Sequence, residues 1–333
     1  QTLTAALSHI NEWEFDVFRV EELCPGEALL AVGFRLFEEH DLLSLFSIPR
    51  DDAIGFLRGI GGAYLDNPYH NHIHGADVAT ALHHFITAGG MSKWMSNLQV
   101  FAAIVAALVH DVAHPAVNNA FLVATEHPLA LQYNDMSPLE NMHISTAFSI
   151  SRKPGHKLFA GTSQEDYKLV GVRKSIVQMV LATDNEFHFQ YLGKLSQALN
   201  VSESSTEDSP GDTLVETPAG QLLVLQIALH AADVSNPAKP WDVYLKWTDR
   251  VVQEFFAQGD KERDMGLPVT PMLDRTKAIP LPKFQAGFIN AIVLPLYTDL
   301  NRVNGVDIPI PVEHLNSNLG CWNDQIASMT ASP

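Results

Sequence analysis

The stretch "NLQVFAAIVAALVHDVAHP", residues 97–115, constrains the fold more than any other part of the chain. Ten consecutive residues in it, Val100 to Val109, are apolar. That run suits about three turns of a helix buried on every side, and such a helix needs other helices around it. The chain supplies them. "LLAVGFRLFEEHDLLSLF", "RKSIVQMVLATD", "GQLLVLQIALHAADVSN" and "FQAGFINAIVLPLYTDL" all carry a helical apolar period. Alternating β-branched runs between Asn-Gly or Asp-Gly turns are missing, and no unit of 20 to 50 residues repeats. Prolines 115, 128, 138, 237, 268 and 282 fall where these helices would begin or end. The expectation is a compact, all-α, multi-helix fold, with residues 1–333 forming a single domain. One stretch breaks the pattern. "VSESSTEDSPGDTLVETPAG", 201–220, is acidic and poor in aromatics, and it reads as a solvated surface loop.

Charge and cysteine content narrow the functions available. The chain carries 38 acidic and 21 basic residues, a formal net charge of −17. Nucleic acids and anionic membrane surfaces both require a cationic footprint, so neither is expected as the main partner. The ten-residue apolar run is well short of the roughly 18 residues that span a bilayer, so direct membrane insertion is not expected. Cys24 and Cys321 are the only cysteines. They define no disulfide framework and no thiolate metal site, which points to a reducing, cytoplasmic setting. No signal-peptide pattern opens the chain, and the missing initiator Met suggests a catalytic domain excised from a longer protein with regulatory regions. Any recruitment to a membrane would then act through those other regions. The sequence does not indicate an oligomeric state.

Three segments carry the chemistry. "YHNHIHGADV" places His70 and His74 four apart, compatible with one face of a helical turn, with His72 between them. "LVHDVAHP" ends the apolar helix with His110, Asp111 and His114, where Pro115 would stop it. "LHAADVSNP" ends a second apolar helix with Asp233. Any one such histidine is more often a satisfied core or surface group than a ligand. Three segments of the same character together point to a metal site. Imidazole nitrogen plus carboxylate oxygen suits Zn²⁺, Mn²⁺ or Mg²⁺, and two of each leave coordination positions open for water. A carboxylate can also bridge two ions. His9, His40, His83, His84 and His314 read as structural or exposed. In "SPLENMH", Ser137, Pro138 and Glu140 have the spacing of a capping box, and spacing alone favours that role for Glu140 over one near a metal.

With "YHNHIHGADV", "LVHDVAHPAVNNAF", "YNDMSPLENMH", "ATDNEFH", "HAADVSNPAKP", "KWTDRVVQEFFAQGD" and "FQAGFINAIVLPLY" in this order, the chain resembles class I cyclic nucleotide phosphodiesterase catalytic domains. It is most similar to the cAMP-hydrolysing members, over about residues 30–310. The resemblance implies an HD-superfamily fold with the metal site at the floor of a deep pocket. It also implies that His74, His110, Asp111 and Asp233 hold Zn²⁺. Asp111 would reach a second ion, Mg²⁺ or Mn²⁺, whose waters His114, Glu140, His143 and Thr183 would help to orient. His70 would be the general acid for attack of hydroxide activated by the two metals. Gln285 would bond the purine edge, Phe288 and Val251 would clamp the ring, and Asn236, Tyr244 and Phe255 would line the base end. Two divalent ions would answer the puzzle of an anionic substrate in an acidic protein.

The expected reaction is therefore hydrolysis of 3′,5′-cyclic AMP, with cGMP as a second substrate, to the 5′-monophosphate. His72 receives no role. Asn185 stands where relatives often carry an apolar residue, which implies a more polar pocket wall. Two rivals share the metal ligands. Another HD-type metal-dependent phosphohydrolase would not require Gln285 and Phe288, and a non-catalytic cyclic-nucleotide sensor would not require His70.

Overall fold

The computed structural model describes residues 2–159, 166–204, 212–277 and 279–331, and among them it contains helices and no strands. The first third holds α1 (Leu3–Leu7), α2 (Val17–Leu23), α3 (Ala28–Glu39), α4 (Leu42–Leu45), α5 (Arg50–Gly61), α6 (His72–Ile86) and α7 (Asn97–Val109). The middle holds α8 (Asn119–Ala124), α9 (Pro128–Gln132), α10 (Pro138–Ile150), α11 (Asp166–Leu181), α12 (His188–Ser204) and α13 (Asp212–Glu216). The last third holds α14 (Pro218–Asp233), α15 (Trp241–Asp264), α16 (Leu281–Phe288), α17 (Leu294–Asn301) and α18 (Pro309–Ala331). None of these helices is long and apolar enough to cross a membrane.

Helix α7 is the axis. Ser96 and Gln99 close a capping box at its start, and every residue from Val100 to Val109 is buried. It packs against α6, α11 and α14. One hydrophobic cluster runs from Ala6 to Trp322 through all of these elements. Close approach around α6 depends on Gly75. A Cβ there would lie 2.7 Å from Tyr64 Oη, and that hydroxyl donates to the Leu108 carbonyl at 3.1 Å.

Several boundaries differ from the sequence pattern. The period of 29–46 breaks at Asp41, whose φ of 51° ends α3 and separates it from α4. Helix α7 stops at Val109 rather than at Pro115, because His110 is its C-cap and Ala113 takes φ of 65°. The run 284–300 is two helices joined by a π-helical turn, Ile289–Val293. Pro295 explains the turn, since it has no N–H to donate and its ring crowds the carbonyl four residues back. The solvated loop expected over 201–220 is also corrected. Residues 201–204 finish α12 and Asp212–Glu216 form α13, while 205–211 lie outside the described residues. Leu214 and Val215 bury themselves against α14, and Gly220 permits the contact because a Cβ there would sit 1.8 Å from the Leu214 carbonyl.

Candidate metal centre

His74, His110, Asp111 and Asp233 meet although they come from three separate elements. Asn71 caps α6, accepting from the N–H groups of Ile73 and His74, so the helix begins at His72. His70 therefore precedes the helix rather than sharing a helical turn with His74. His110 and Asp111 follow the last residue of α7, and Asp233 is the last residue of α14. Helix C-termini carry negative partial charge, so two of the three elements deliver cation-favouring ends to the same place.

The donor spacing fits an ion. His74 Nε2 lies 3.1 Å from Asp233 Oδ1 and 3.4 Å from Asp111 Oδ2. His110 Nε2 lies 3.3 Å and 3.2 Å from the same two oxygens. Ligand atoms bonded to one ion at roughly 2.0–2.2 Å stand about 3.0–3.5 Å from one another. The tautomer is right as well. His110 Nδ1 donates to the Ala107 carbonyl at 2.8 Å, which leaves the Nε2 lone pair for the cluster. Burial opposes charge on His110, but Asp111 and Asp233 hold its imidazole well above the ordinary value. Burial likewise works against ionised Asp111, yet His110, His70 and His74 hold its carboxyl well below the usual range. Such a set demands positive charge, and it can hold a metal ion.

Asp111 faces two ways. Its Oδ2 serves the four-residue cluster, while Oδ1 lies 3.5 Å from His143 Nε2. His143 Nδ1 donates to the Val112 carbonyl at 2.7 Å, so the buried Nε2 presents a lone pair with no hydrogen-bond partner among the described residues. Burial pushes His143 down to about 4. His114 Nδ1 accepts from the Ala116 N–H, and burial together with His70 keeps its ring neutral. His70, His114 and His143 stack in sequence, with ring centroids 3.9 Å and 5.7 Å apart.

Glu140 corrects the sequence reading. Ser137 has φ of 43° and makes no cap bond; its hydroxyl donates instead to Asp184 Oδ2 at 2.8 Å. Pro138 does occupy the first helical position. Glu140 is therefore not half of a capping box. Its Oε2 accepts from Asn119 Nδ2 at 2.9 Å, and burial followed by Asp184 pushes it up to about 8. Thr183 is buried nearby in sequence, its hydroxyl donating to the Val180 carbonyl. Asn185 is exposed.

Glu254 organises the other side of the cluster. Its Oε2 accepts from the N–H groups of Tyr69 and His70, and its Oε1 accepts from His70 Nδ1. Burial would lower His70, but Glu254 and Asp111 outweigh it and push the imidazole up to about 9. The opposite nitrogen, Nε2, points to Asp111 Oδ2 at 3.9 Å. Tyr69 Oη donates to Asn236 Oδ1 at 2.6 Å. His72 turns away, to Glu21 of α2 at 2.9 Å.

Gln285 is buried. Trp322 Nε1 donates to Tyr244 Oη at 3.2 Å, and Tyr244 Oη donates to Gln285 Oε1 at 2.7 Å. That bond fixes Oε1 as the side of the amide that faces Tyr244. Phe288 and Val251 are half-buried against the main core. A cavity of about 260 Å³ opens between α15 and α16, and Phe255 is the one predicted pocket residue that lines it, with Phe256 and Phe284 beside it.

A family profile described as 3′5′-cyclic nucleotide phosphodiesterase matches residues 69–314. The chain belongs to this family. It is 40% identical over 298 residues to "3′,5′-cyclic-AMP phosphodiesterase 4C" of Rattus norvegicus, covering 89% of this chain and 54% of that protein. The Mus musculus protein of the same name is 39% identical over 298 residues, 89% of this chain and 43% of that protein. "Dual specificity calcium/calmodulin-dependent 3′,5′-cyclic nucleotide phosphodiesterase 1B" of Rattus norvegicus is 36% identical over 299 residues, 89% of this chain and 53% of that protein. The chain thus spans about half the length of these curated relatives.

Within the family's matched region, sequence reasoning missed Glu254, Asn119 and Asp184. Glu254 carried one signal, a carboxylate inside "VVQEFF" where the helical period calls for apolar residues. Trp322 lies beyond the matched residues and gave none. Of the histidines read as structural or exposed, His83 and His84 are buried, His40 and His314 are half-buried, and His9 is exposed.

Proposed function

We propose that the chain is the catalytic part of a 3′,5′-cyclic nucleotide phosphodiesterase, one domain over residues 1–333 that hydrolyses cAMP, and cGMP as well, to the 5′-monophosphate in the cytoplasm. The observation that carries it is the meeting of the four-donor cluster with His70, a histidine anchored by the Glu254 carboxylate whose Nε2 faces Asp111. His74, His110, Asp111 and Asp233 would hold Zn²⁺, and Asp111 would share a second ion, Mg²⁺ or Mn²⁺. The ions supply positive potential for the phosphodiester and acidify water. His114 and His143 lie beside Asp111, and with Glu140 and Thr183 they would orient water there.

A water sheds one proton, its oxygen bonds to phosphorus and the P–O3′ bond breaks; the shed proton returns His70 to its starting state after the transfer. His70 gives its Nε2 proton to O3′, while Glu254 accepts from Nδ1–H and stabilises the ring before and after the transfer. Gln285 meets the purine edge. With adenine its amide N–H pairs with N1 and its oxygen, through a second lone pair, accepts from the N6 amino group; guanine presents donor and acceptor in the reverse order and needs the amide turned over. Base choice therefore follows which way the amide is turned, a reading supported by relatives named for cyclic AMP and for dual specificity. Phe288 and Val251 clamp the ring, and Asn236, Tyr244 and Phe255 line the base end.

The test is steady-state hydrolysis of cAMP and cGMP in parallel, with Mg²⁺ or Mn²⁺ supplied, for the parent and His70→Ala. Turnover that collapses in the variant is expected. No turnover of either nucleotide by folded, metal-loaded protein would overturn the assignment.

A further inference from the structure

Asp77 lies on α6 three residues beyond His74, and Lys239 follows Asp233 by six and Asn236 by three. Their side chains meet inside the protein. Lys239 Nζ is 3.1 Å from Asp77 Oδ1, with exposures of 1% and 0%. Neither carboxylate oxygen of Asp77 has a hydrogen-bond partner among the described residues, so the ammonium reaches it as an ion pair alone. On its other side Nζ faces the Trp13 ring at 4.6 Å, and Trp13 Nε1 donates to the Ala238 carbonyl at 2.7 Å. Asn318 of α18 donates to the carbonyls of Pro237 and Lys239, both at 2.8 Å. The turn after Asp233 is thus held from three directions.

None of this takes part in the reaction proposed above. As a plain stabiliser the pair is a poor choice, because two charges lose their hydration and an apolar pair of similar volume often does as well or better. Its placement is what distinguishes it. Asp77 shares a helix with His74, and Lys239 shares a turn with Asp233 and Asn236, so the pair spans the joint across which His74 Nε2 and Asp233 Oδ1 stand 3.1 Å apart. The Tyr69–Asn236 hydrogen bond ties the same two parts of the chain together.

We propose that Asp77 and Lys239, with Trp13 packed on the ammonium, form a positioning strut that sets the separation of the metal donors His74 and Asp233 and the placement of Asn236. The proposal rests on the metal-centre reading. Trp13 lies outside the family-matched residues, so one member of the strut comes from a part of the chain that the family profile does not include.

The test removes both charges at once, in the full chain, with Asp77→Leu combined with Lys239→Met. Thermal midpoint, Zn²⁺ affinity by competition with a chromophoric chelator, and KM and kcat for cAMP are measured. A strut predicts Zn²⁺ affinity lower by about 10–100-fold and a raised KM, with a thermal midpoint close to the parent's. Unchanged Zn²⁺ affinity and KM in the folded double variant overturn the proposal, whatever the midpoint does. Should the double variant fail to fold, Trp13→Phe replaces it. That change keeps a ring over Nζ but loses the bond to Ala238, and it is expected to weaken Zn²⁺ by about threefold to tenfold; no change overturns the strut. His74→Ala serves as control. If it leaves the parent's Zn²⁺ affinity intact, the metal-centre reading fails first and the strut's role at the metal fails with it.

Discussion

At the scale of single residues, the decisive arrangement is a division of labour across one imidazole. Glu254 occupies His70 Nδ1 and its backbone N–H, so the ring is fixed in place and only Nε2 faces the cluster. His70→Ala is therefore expected to lower kcat for cAMP by about 10²–10⁴-fold with a smaller change in KM. Glu254→Gln keeps the shape but loses the charged acceptor. Its expected cost is about 10–100-fold in kcat, from roughly 1.5–3 kcal/mol for a hydrogen bond to a charged group. Gln285 works on binding instead. Gln285→Ala should raise KM for both nucleotides by about 5–100-fold and alter kcat much less, as loss of uniform binding requires. Equal KM values for variant and parent would remove Gln285 from the purine edge. Glu140 shows why spacing misled here: Ser137 has the side chain of an N-cap, but its backbone is left-handed and its hydroxyl is committed to Asp184.

At the scale of elements, the site stands where three helices end or begin. Asn71 satisfies the N–H groups of Ile73 and His74, so the residue that starts α6 also holds a proposed ligand. Asn71→Ala should cost about 1 kcal/mol, read as a lower urea midpoint, and should weaken metal binding because His74 loses part of its backbone anchor. A midpoint unchanged from the parent would show the cap to be dispensable. The identity and general extent of the long helices were readable in the apolar period, but their ends were not. Residues 110–114 continue the pattern of α7 in sequence, yet the chain turns there through Ala113, because only a break lets His110 and Asp111 turn towards Asp233. The π-turn before Pro295 escaped for a similar reason. One proline in a long apolar run can end a helix, kink it or widen a turn, and packing selects among these.

Across the whole molecule, ion binding and protonation are both linked to folding. An ion held by α6, α7 and α14 together exists only in the folded state, so chelation should lower stability and ion return should restore it. The gain is about 2.7 kcal/mol at free ion 100 times the dissociation constant. A thermal midpoint indifferent to chelator would contradict a bound ion. Away from the site, His40, His83 and Asn11 form a hydrogen-bonded chain, His40 Nε2 to His83 Nδ1 at 2.9 Å and His83 Nε2 to Asn11 Oδ1 at 2.7 Å. A neutral His83 satisfies that chain, and burial, followed by His40, His84 and Arg35, pushes it down to about 3. In the unfolded chain it would titrate near its ordinary value of about 6.5. Below that pH the unfolded state binds a proton that the folded state refuses, so stability falls as pH falls from about 6.5 towards 3. The contribution approaches 1.4 kcal/mol per pH unit, and urea midpoints from pH 7.5 to 5 should fall more steeply for the parent than for His83→Gln. Parallel curves would exclude His83 as the cause.

Sequence alone determined the all-α class, the central apolar helix, and a set of histidines and aspartates that end buried helices. Those features are local, because a helical period records which face is buried and a polar pair at the end of an apolar run records where burial stops. The structure decided which of these residues meet. Glu254 and His70 are 184 positions apart, Tyr244 and Gln285 are 41 apart, and Lys239 reaches Asp77 across the core. No period encodes such pairs. They exist because packing around α7 brings distant elements into register, and a buried polar group must then bond whatever that register places beside it.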